Sequence, residues 1–296
     1  MRVRPMTGLF GCALLLGAGA LGCGSGMSVR SHAAVPIRSN GNGSGATTAA
    51  PSGGAAADLP DHEDELPQLP AAATADDEPE HDAPPTPING TPTATRYASL
   101  DRATCEAELG KRKIAFERVG EARGVIAPLR LKGPVGGVEF RSMLPAAQRR
   151  TSPYEIYDCR LVLALDDWAR VLAKYDVVEV VHYSVYRPPP AKQVLNGAGR
   201  RHSGALAIDA AIFKTRDGQT MNVEKDFHGR IGSKPCGARA ASTAGLPAQA
   251  VTLRKIVCEA ADAQMFNVML TPDYNWPHRN HFHLEVTAGA RWVLVR

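Results

Sequence analysis

The sequence of 296 residues predicts an α+β domain built on a mainly antiparallel sheet with flanking helices, preceded by a disordered tether. Two observations lead there. From about Arg96 onward, short segments rich in Val, Ile and Tyr mix with helical stretches in no alternating β-α-β order, the pattern of α+β folds. Before Arg96 the composition is of another kind: no Lys or Arg falls between positions 40 and 95, and ten carboxylates crowd between Asp58 and Asp82. The chain from Arg96 onward carries 30 basic against 20 acidic residues, so a basic head follows an acidic stretch. No uncharged apolar run reaches the roughly 18 residues of a bilayer span, which excludes a multi-span membrane protein. Apolar residues make up 44% of the chain without a heptad or Gly-X-Y period, which excludes coiled coil and collagen.

Arg2 and Arg4 precede an uncharged apolar stretch from Leu9 to Gly22, with small residues at Ala18, Ala20 and Gly22. That is the layout of an export signal over residues 1–22. Gly22-Cys23 resembles the end of a lipoprotein box, which makes Cys23 the expected lipidation site; cleavage after Ala20 by an ordinary signal peptidase is the alternative. Residues 23–95 are rich in Gly, Ser, Ala, Pro and Thr and then in acids, with few large apolar side chains to offset the entropy of an ordered backbone. They read as a tether, and the folded domain is expected over residues 96–296.

Within that domain, Leu100 to Lys111 is expected as a helix, followed by short strands at Ile114 to Val119, Val125 to Leu131 and Val138 to Arg141. Cys159 to Tyr175 places Leu161, Leu165, Trp168 and Leu172 on one helical face. Val177 to Tyr186 is dense in Val and Tyr and predicts a strand. Further strands are expected at Ala205 to Phe213 and Met221 to Lys225, around the turn at Asp217-Gly218. A helix at Pro247 to Ala263 and strands at Phe266 to Leu270 and His281 to Val286 complete the series. Four cysteines remain in this region, and an even number in an exported chain favours two disulfides. Three pairings are open; Cys105 with Cys159, tying two helices, and Cys236 with Cys258, closing a loop onto the following helix, is the expected one.

The chemistry concentrates in His and Asp. Six of the nine histidines lie after residue 180. Two imidazole nitrogens, one carboxylate oxygen and a vacant fourth position describe a catalytic zinc site, and His202, Asp209 and His283 can supply those donors. Seven residues span about 23 Å along a strand and about 10 Å along a helix, so the chain must turn between His202 and Asp209. Gly204 permits that turn. On the returning strand, Ala205, Ala207, Asp209 and Ala211 share one face while Leu206, Ile208 and Ile212 face the core. On the last strand, His281, His283 and Glu285 share a face, so one histidine can bind a metal while its neighbour reaches water or substrate. The fold class thus includes a zinc site.

Ser184-Val185-Tyr186-Arg187-Pro188, then His202-x6-Asp209, then His278-x2-His281-Phe282-His283 resembles the superfamily of lysostaphin, D-Ala-D-Ala metallopeptidases and sonic hedgehog. Tyr274-Asn275 ahead of His278, with the Cys105 and Cys159 helices, most resembles the bacterial extensin-like C-terminal domain. The resemblance implies that His202, Asp209 and His283 are zinc ligands, that His281 is the catalytic histidine, and that His278 and Arg187 also belong to the active site. Asn280 stands where related endopeptidases have Asp, Glu285 where this family often has Asp, and Tyr186 where many members have Cys.

The activity so implied is zinc-dependent hydrolysis of peptidoglycan stem or cross-link peptides. His281 would act as base, Arg187 would bind an oxyanion or substrate carboxylate, and Glu285 would orient a ligand or His281. The alternative is a wall- or polysaccharide-binding module that keeps the metal for structure. A basic head suits carboxylate-bearing peptidoglycan as partner, while Lys111 to Lys113 and Arg149-Arg150 read as solvated charge. No nucleic-acid recognition motif is present, and membrane attachment is expected only through the lipid. The expected location is the periplasm of a Gram-negative bacterium.

Overall fold

The computed structural model describes residues 86, 87, 89–193, 195 and 198–296. The expected leader, the Cys23 lipidation site and the acidic clusters lie outside the described residues. Among those described, no helix is long and apolar enough to cross a membrane.

The domain is α+β. In chain order its strands are β1 (Thr86–Pro87), β2 (Phe116–Arg118), β3 (Pro128–Leu131), β4 (Glu139–Ser142), β5 (Tyr157–Asp158), β6 (Val177–His182), β7 (Ala207–Thr215), β8 (Thr220–Asn222), β9 (Val268–Leu270), β10 (Phe282–Glu285) and β11 (Trp292–Val295). The helices are α1 (Thr93–Ala98), α2 (Arg102–Lys111), α3 (Ala146–Arg149), α4 (Cys159–Ala173), α5 (Val223–Asp226) and α6 (Ala248–Asp262). Strands run β1-β11-β9-β10-β7-β6-β4 across an eight-stranded sheet, with β8 pairing to β7, while β2-β3-β5 form a small second sheet. The larger sheet is mixed: β4 with β6 and β11 with β9 are parallel, and the other pairings are antiparallel.

Helix α4 organises the core. Asp158 caps it by accepting from the Arg160 N–H, and Trp168 is fully buried. The Trp168 ring meets Phe213 of β7 edge-on at 5.9 Å and Phe266 at 5.8 Å. On the same side Phe282 of β10 packs against Phe213 at 5.7 Å, so β7 and β10 are held in place by their apolar faces. Aromatic pairs of this kind add to the area they bury. Two disulfides pin the periphery. Cys105–Cys159 joins α2 to the first turn of α4, and Cys236–Cys258 closes a loop onto α6, which is the expected pairing.

Several boundaries differ from expectation for physical reasons. The head begins earlier: α1 lies partly within the expected tether, with Ala94 and Thr95 buried, and β1 pairs with β11. The expected strand Met221 to Lys225 is split, because Asn222 accepts from the Lys225 N–H and caps α5. The strand expected to run to Tyr186 stops at His182, freeing Tyr183 to Arg187 to line the site. Ile212 is only half-buried while Phe213 is fully buried, because an irregularity in the pairing of Val181 and His182 with β7 shifts the alternation by one residue.

Candidate metal centre

Antiparallel pairing of β7 and β10 sets Asp209 directly opposite His283. His202 arrives from a 3-10 turn, Arg201–Gly204. The turn reverses at Ala205, which adopts φ 53° and ψ 32°, and Arg201 is also left-handed at φ 47°. The conformational cost expected at Gly204 is therefore borne by two side-chain-bearing residues, the kind of strain that gathers at functional sites. Gly204 is needed for another reason: a Cβ there would lie 2.2 Å from the Gly199 carbonyl oxygen.

Three donor atoms then meet. His202 Nε2 is 3.1 Å from Asp209 Oδ1 and 3.2 Å from His283 Nδ1, and the last two are 3.2 Å apart. Their protons can be placed from the opposite ring edges. His202 Nδ1 lies 2.8 Å from the Val185 carbonyl, which only accepts, so Nδ1 carries the proton and Nε2 a lone pair. Glu285 Oε2, 3.4 Å from His283 Nε2, places that proton on Nε2 and leaves Nδ1 bare. Two imidazole lone pairs and a carboxylate oxygen thus face one another across about 3 Å, and all three residues are buried. Such a triangle could hold a cation: a tetrahedral ion with bonds of about 2.0–2.1 Å keeps its donors roughly 3.3 Å apart.

The surroundings hold these atoms in place. Asp209 Oδ2 takes the Ser184 hydroxyl at 3.1 Å and the Nη2 of Arg187, whose Nε donates to Ser184 Oγ at 2.9 Å. Burial pushes the Asp209 carboxyl up, but the Arg187 guanidinium, with the imidazoles around it, outweighs that and holds the group well below the usual carboxylate range. Burial pushes His202 down despite Asp209, which keeps its ring neutral and its lone pair available. Glu285, also pressed up by burial, is brought below its ordinary value by the His283 hydrogen bond; its Oε1 accepts from Thr287 at 2.7 Å.

His281 ends just ahead of β10, not within it, yet its Nε2 reaches to 3.4 Å from Asp209 Oδ1. Its Nδ1 donates to Asn280 Oδ1 at 2.8 Å, so the neutral amide takes the place an Asp would hold and leaves Nε2 unprotonated. Burial drives His281 down to about 3, against the pull of Asp209. His278 donates from Nδ1 to Asn275 Oδ1 at 2.6 Å, and its ring lies 5.1 Å from that of His281 and 5.9 Å from that of His283.

The seven sequence-derived site residues therefore lie together, with one change of place. Arg187 is turned onto Asp209 and positions that carboxylate, where a substrate-facing guanidinium was expected. Glu285 stands beside His283, in the orienting place expected for it. Tyr186 donates to the Arg123 carbonyl at 3.0 Å and packs, while Tyr183 meets His281 edge-on at 5.7 Å. Ser184 and Asn275 carried no expected role of their own, although both stand in the segments that carry the family resemblance; the structure places Ser184 against Asp209 and Asn275 against His278.

The family whose description is extensin-like protein C-terminus matches residues 103–296. No curated protein matches the chain.

Proposed function

The chain belongs to the extensin-like C-terminal family, and from that premise we propose that its folded domain is a zinc-dependent amide hydrolase acting on peptidoglycan stem or cross-link peptides. The supporting observation is the triangle of His202 Nε2, Asp209 Oδ1 and His283 Nδ1, with both histidine protons directed outward. Two nitrogens and one oxygen are the protein donor set of catalytic rather than structural zinc. Zinc held there supplies Lewis acidity, polarising a scissile carbonyl and making water a stronger acid.

The chain's own residues do the rest. With Nδ1 committed to Asn280, His281 offers Nε2 as the proton acceptor beside the donor triangle. Asn280 fixes that tautomer. Arg187 and Ser184 hold the far oxygen of Asp209 so that Oδ1 faces inward, and Glu285 does the same for His283. His278, held by Asn275, packs against the His281 ring at 5.1 Å. Peptidoglycan as substrate follows from the motif's resemblance to wall peptidases and from the basic head, and two disulfides agree with an exported, periplasmic protein. Lipidation at Cys23 belongs to the same proposal.

Metal analysis of wild type and Asp209→Ala tests the centre. Near one zinc per chain is expected in the wild type, with a clear drop in the variant; equal zinc in both would remove Asp209 from the site.

A further inference from the structure

Trp276 is the most exposed large apolar side chain among the described residues, at 67%. Tryptophan is heavily buried on average, so an indole in water is the informative exception. Its neighbours are those of the candidate metal centre. The 3-10 turn Trp276–His278 is capped by Asn275, whose Oδ1 accepts both the backbone N–H and the ring Nδ1–H of His278. Trp276 is two residues from the buried His278, and Arg279 and Glu224 beside its indole act electrostatically on Tyr183, whose ring meets His281 edge-on at 5.7 Å, so the indole stands on the His281 side of the cluster.

The ring also has charged neighbours. The Arg279 guanidinium lies 4.6 Å from its centroid, Arg279 Nη1 donates to the Trp276 carbonyl at 3.3 Å, and Nε sits 3.9 Å from Glu224 Oε1. That stack covers one face of the indole, so the exposure belongs to the opposite face and the ring edge. A flat apolar face bordered by a cation and a carboxylate suits an amphipathic ligand. A wholly apolar partner would have to strip water from the exposed Arg279 and Glu224, and their own contact at 3.9 Å offsets little of that cost.

We propose that Trp276 is a stacking platform for a pyranose ring, so that the site receives peptide still attached to its sugar. One face of a pyranose presents C–H groups on the scale of an indole, while its hydroxyls stay hydrated at the edge. Trp is among the residues that carry most binding energy where a partner docks, and its two side-chain torsions lose little entropy on binding. The inference depends on the proposed function only for the source of the sugar.

The probe is a neutral N-acetylglucosamine tetramer, which carries no stem peptide, titrated by calorimetry into the full protein with and without zinc. Saturable binding is expected for the wild type. Trp276→Ala should bind roughly tenfold or more weakly, in line with aromatic stacking elsewhere, and Trp276→Phe should fall between. Unchanged zinc content and thermal midpoint in Trp276→Ala would tie the loss to the lost indole. Absence of wild-type binding, or equal affinity in Trp276→Ala, overturns the platform. Binding through Trp276 without hydrolysis of any wall peptide would uphold the platform and sink the peptidase reading; hydrolysis without tetramer binding would do the reverse.

Discussion

Replacing Glu285 by alanine should weaken zinc binding about tenfold to a hundredfold, as the loss of carboxylates behind ligating histidines commonly does. The carboxylate acts through His283. It accepts the Nε2 proton at 3.4 Å, which leaves Nδ1 bare toward Asp209, and its charge makes that nitrogen a better donor. Both effects favour the metal, so their signs agree. A loss of tenfold to a hundredfold is about 1.4–2.7 kcal/mol. Metal binds the folded chain, so the same energy leaves the loaded domain, and at 2–4 °C per kcal/mol the melting point should fall by about 3–10 °C. Glu285→Gln, whose amide oxygen still accepts but carries no charge, should fall between. Competition against a chromophoric chelator measures the affinity, and scanning calorimetry the shift. Unchanged affinity in Glu285→Ala would refute the orienting role. Full zinc with lost hydrolysis would instead make Glu285 the proton acceptor.

Arg187→Met should destabilise the metal-free domain by about 3–5 kcal/mol in urea, because Asp209 is left as a buried carboxylate without its cation; a stability equal to wild type would remove the positioning role. Chain entropy predicts that losing Cys105–Cys159, 54 residues apart, costs about 4 kcal/mol and losing Cys236–Cys258, 22 apart, about 3 kcal/mol. Paired Cys→Ser variants compared by urea midpoint would show the opposite order if that ranking is wrong. Burial drives His182 down to about 3, so between pH 6.5 and 3 the unfolded chain binds a proton that the folded one refuses. Stability therefore falls as the pH drops below 6.5. His182→Gln should spare about 2.7 kcal/mol of the loss between pH 7 and 4.5, and identical pH slopes in the two proteins would contradict this.

The spacing from His202 to Asp209 and the alternation around His283 showed that a donor set could form, and the resemblance to the extensin-like family supplied the choice of His283 over His281, which share a face of the expected strand. Trp168 and its helix were equally plain, as a long periodic segment leaves little ambiguity. Where long-range pairing decided, the sequence was mute. The irregularity opposite Val181 and His182 moved Phe213 into the core in place of Ile212, and nothing local announces it. Arg187 looked like a substrate-facing residue because its partner is 22 residues away, on another strand. The early start of the head escaped notice because Ala94 and Thr95 are small residues in a polar stretch, buried only by what they meet. Left-handed backbone at Arg201 and Ala205 was likewise invisible, since the adjacent Gly204 offered an easier turn.

Digestion of purified murein by the zinc-loaded protein, with fragments read by mass, tests the central claim most directly. Wild type should release defined stem or cross-link peptides. His281→Ala should keep its zinc and lose about a hundredfold to ten-thousandfold in rate, while His283→Ala should lose both metal and activity. Fragments released by His281→Ala at the wild-type rate would place the proton acceptor elsewhere. Intact murein after incubation with zinc-loaded wild type, bound but uncut, would contradict the account and leave a wall-binding module in its place.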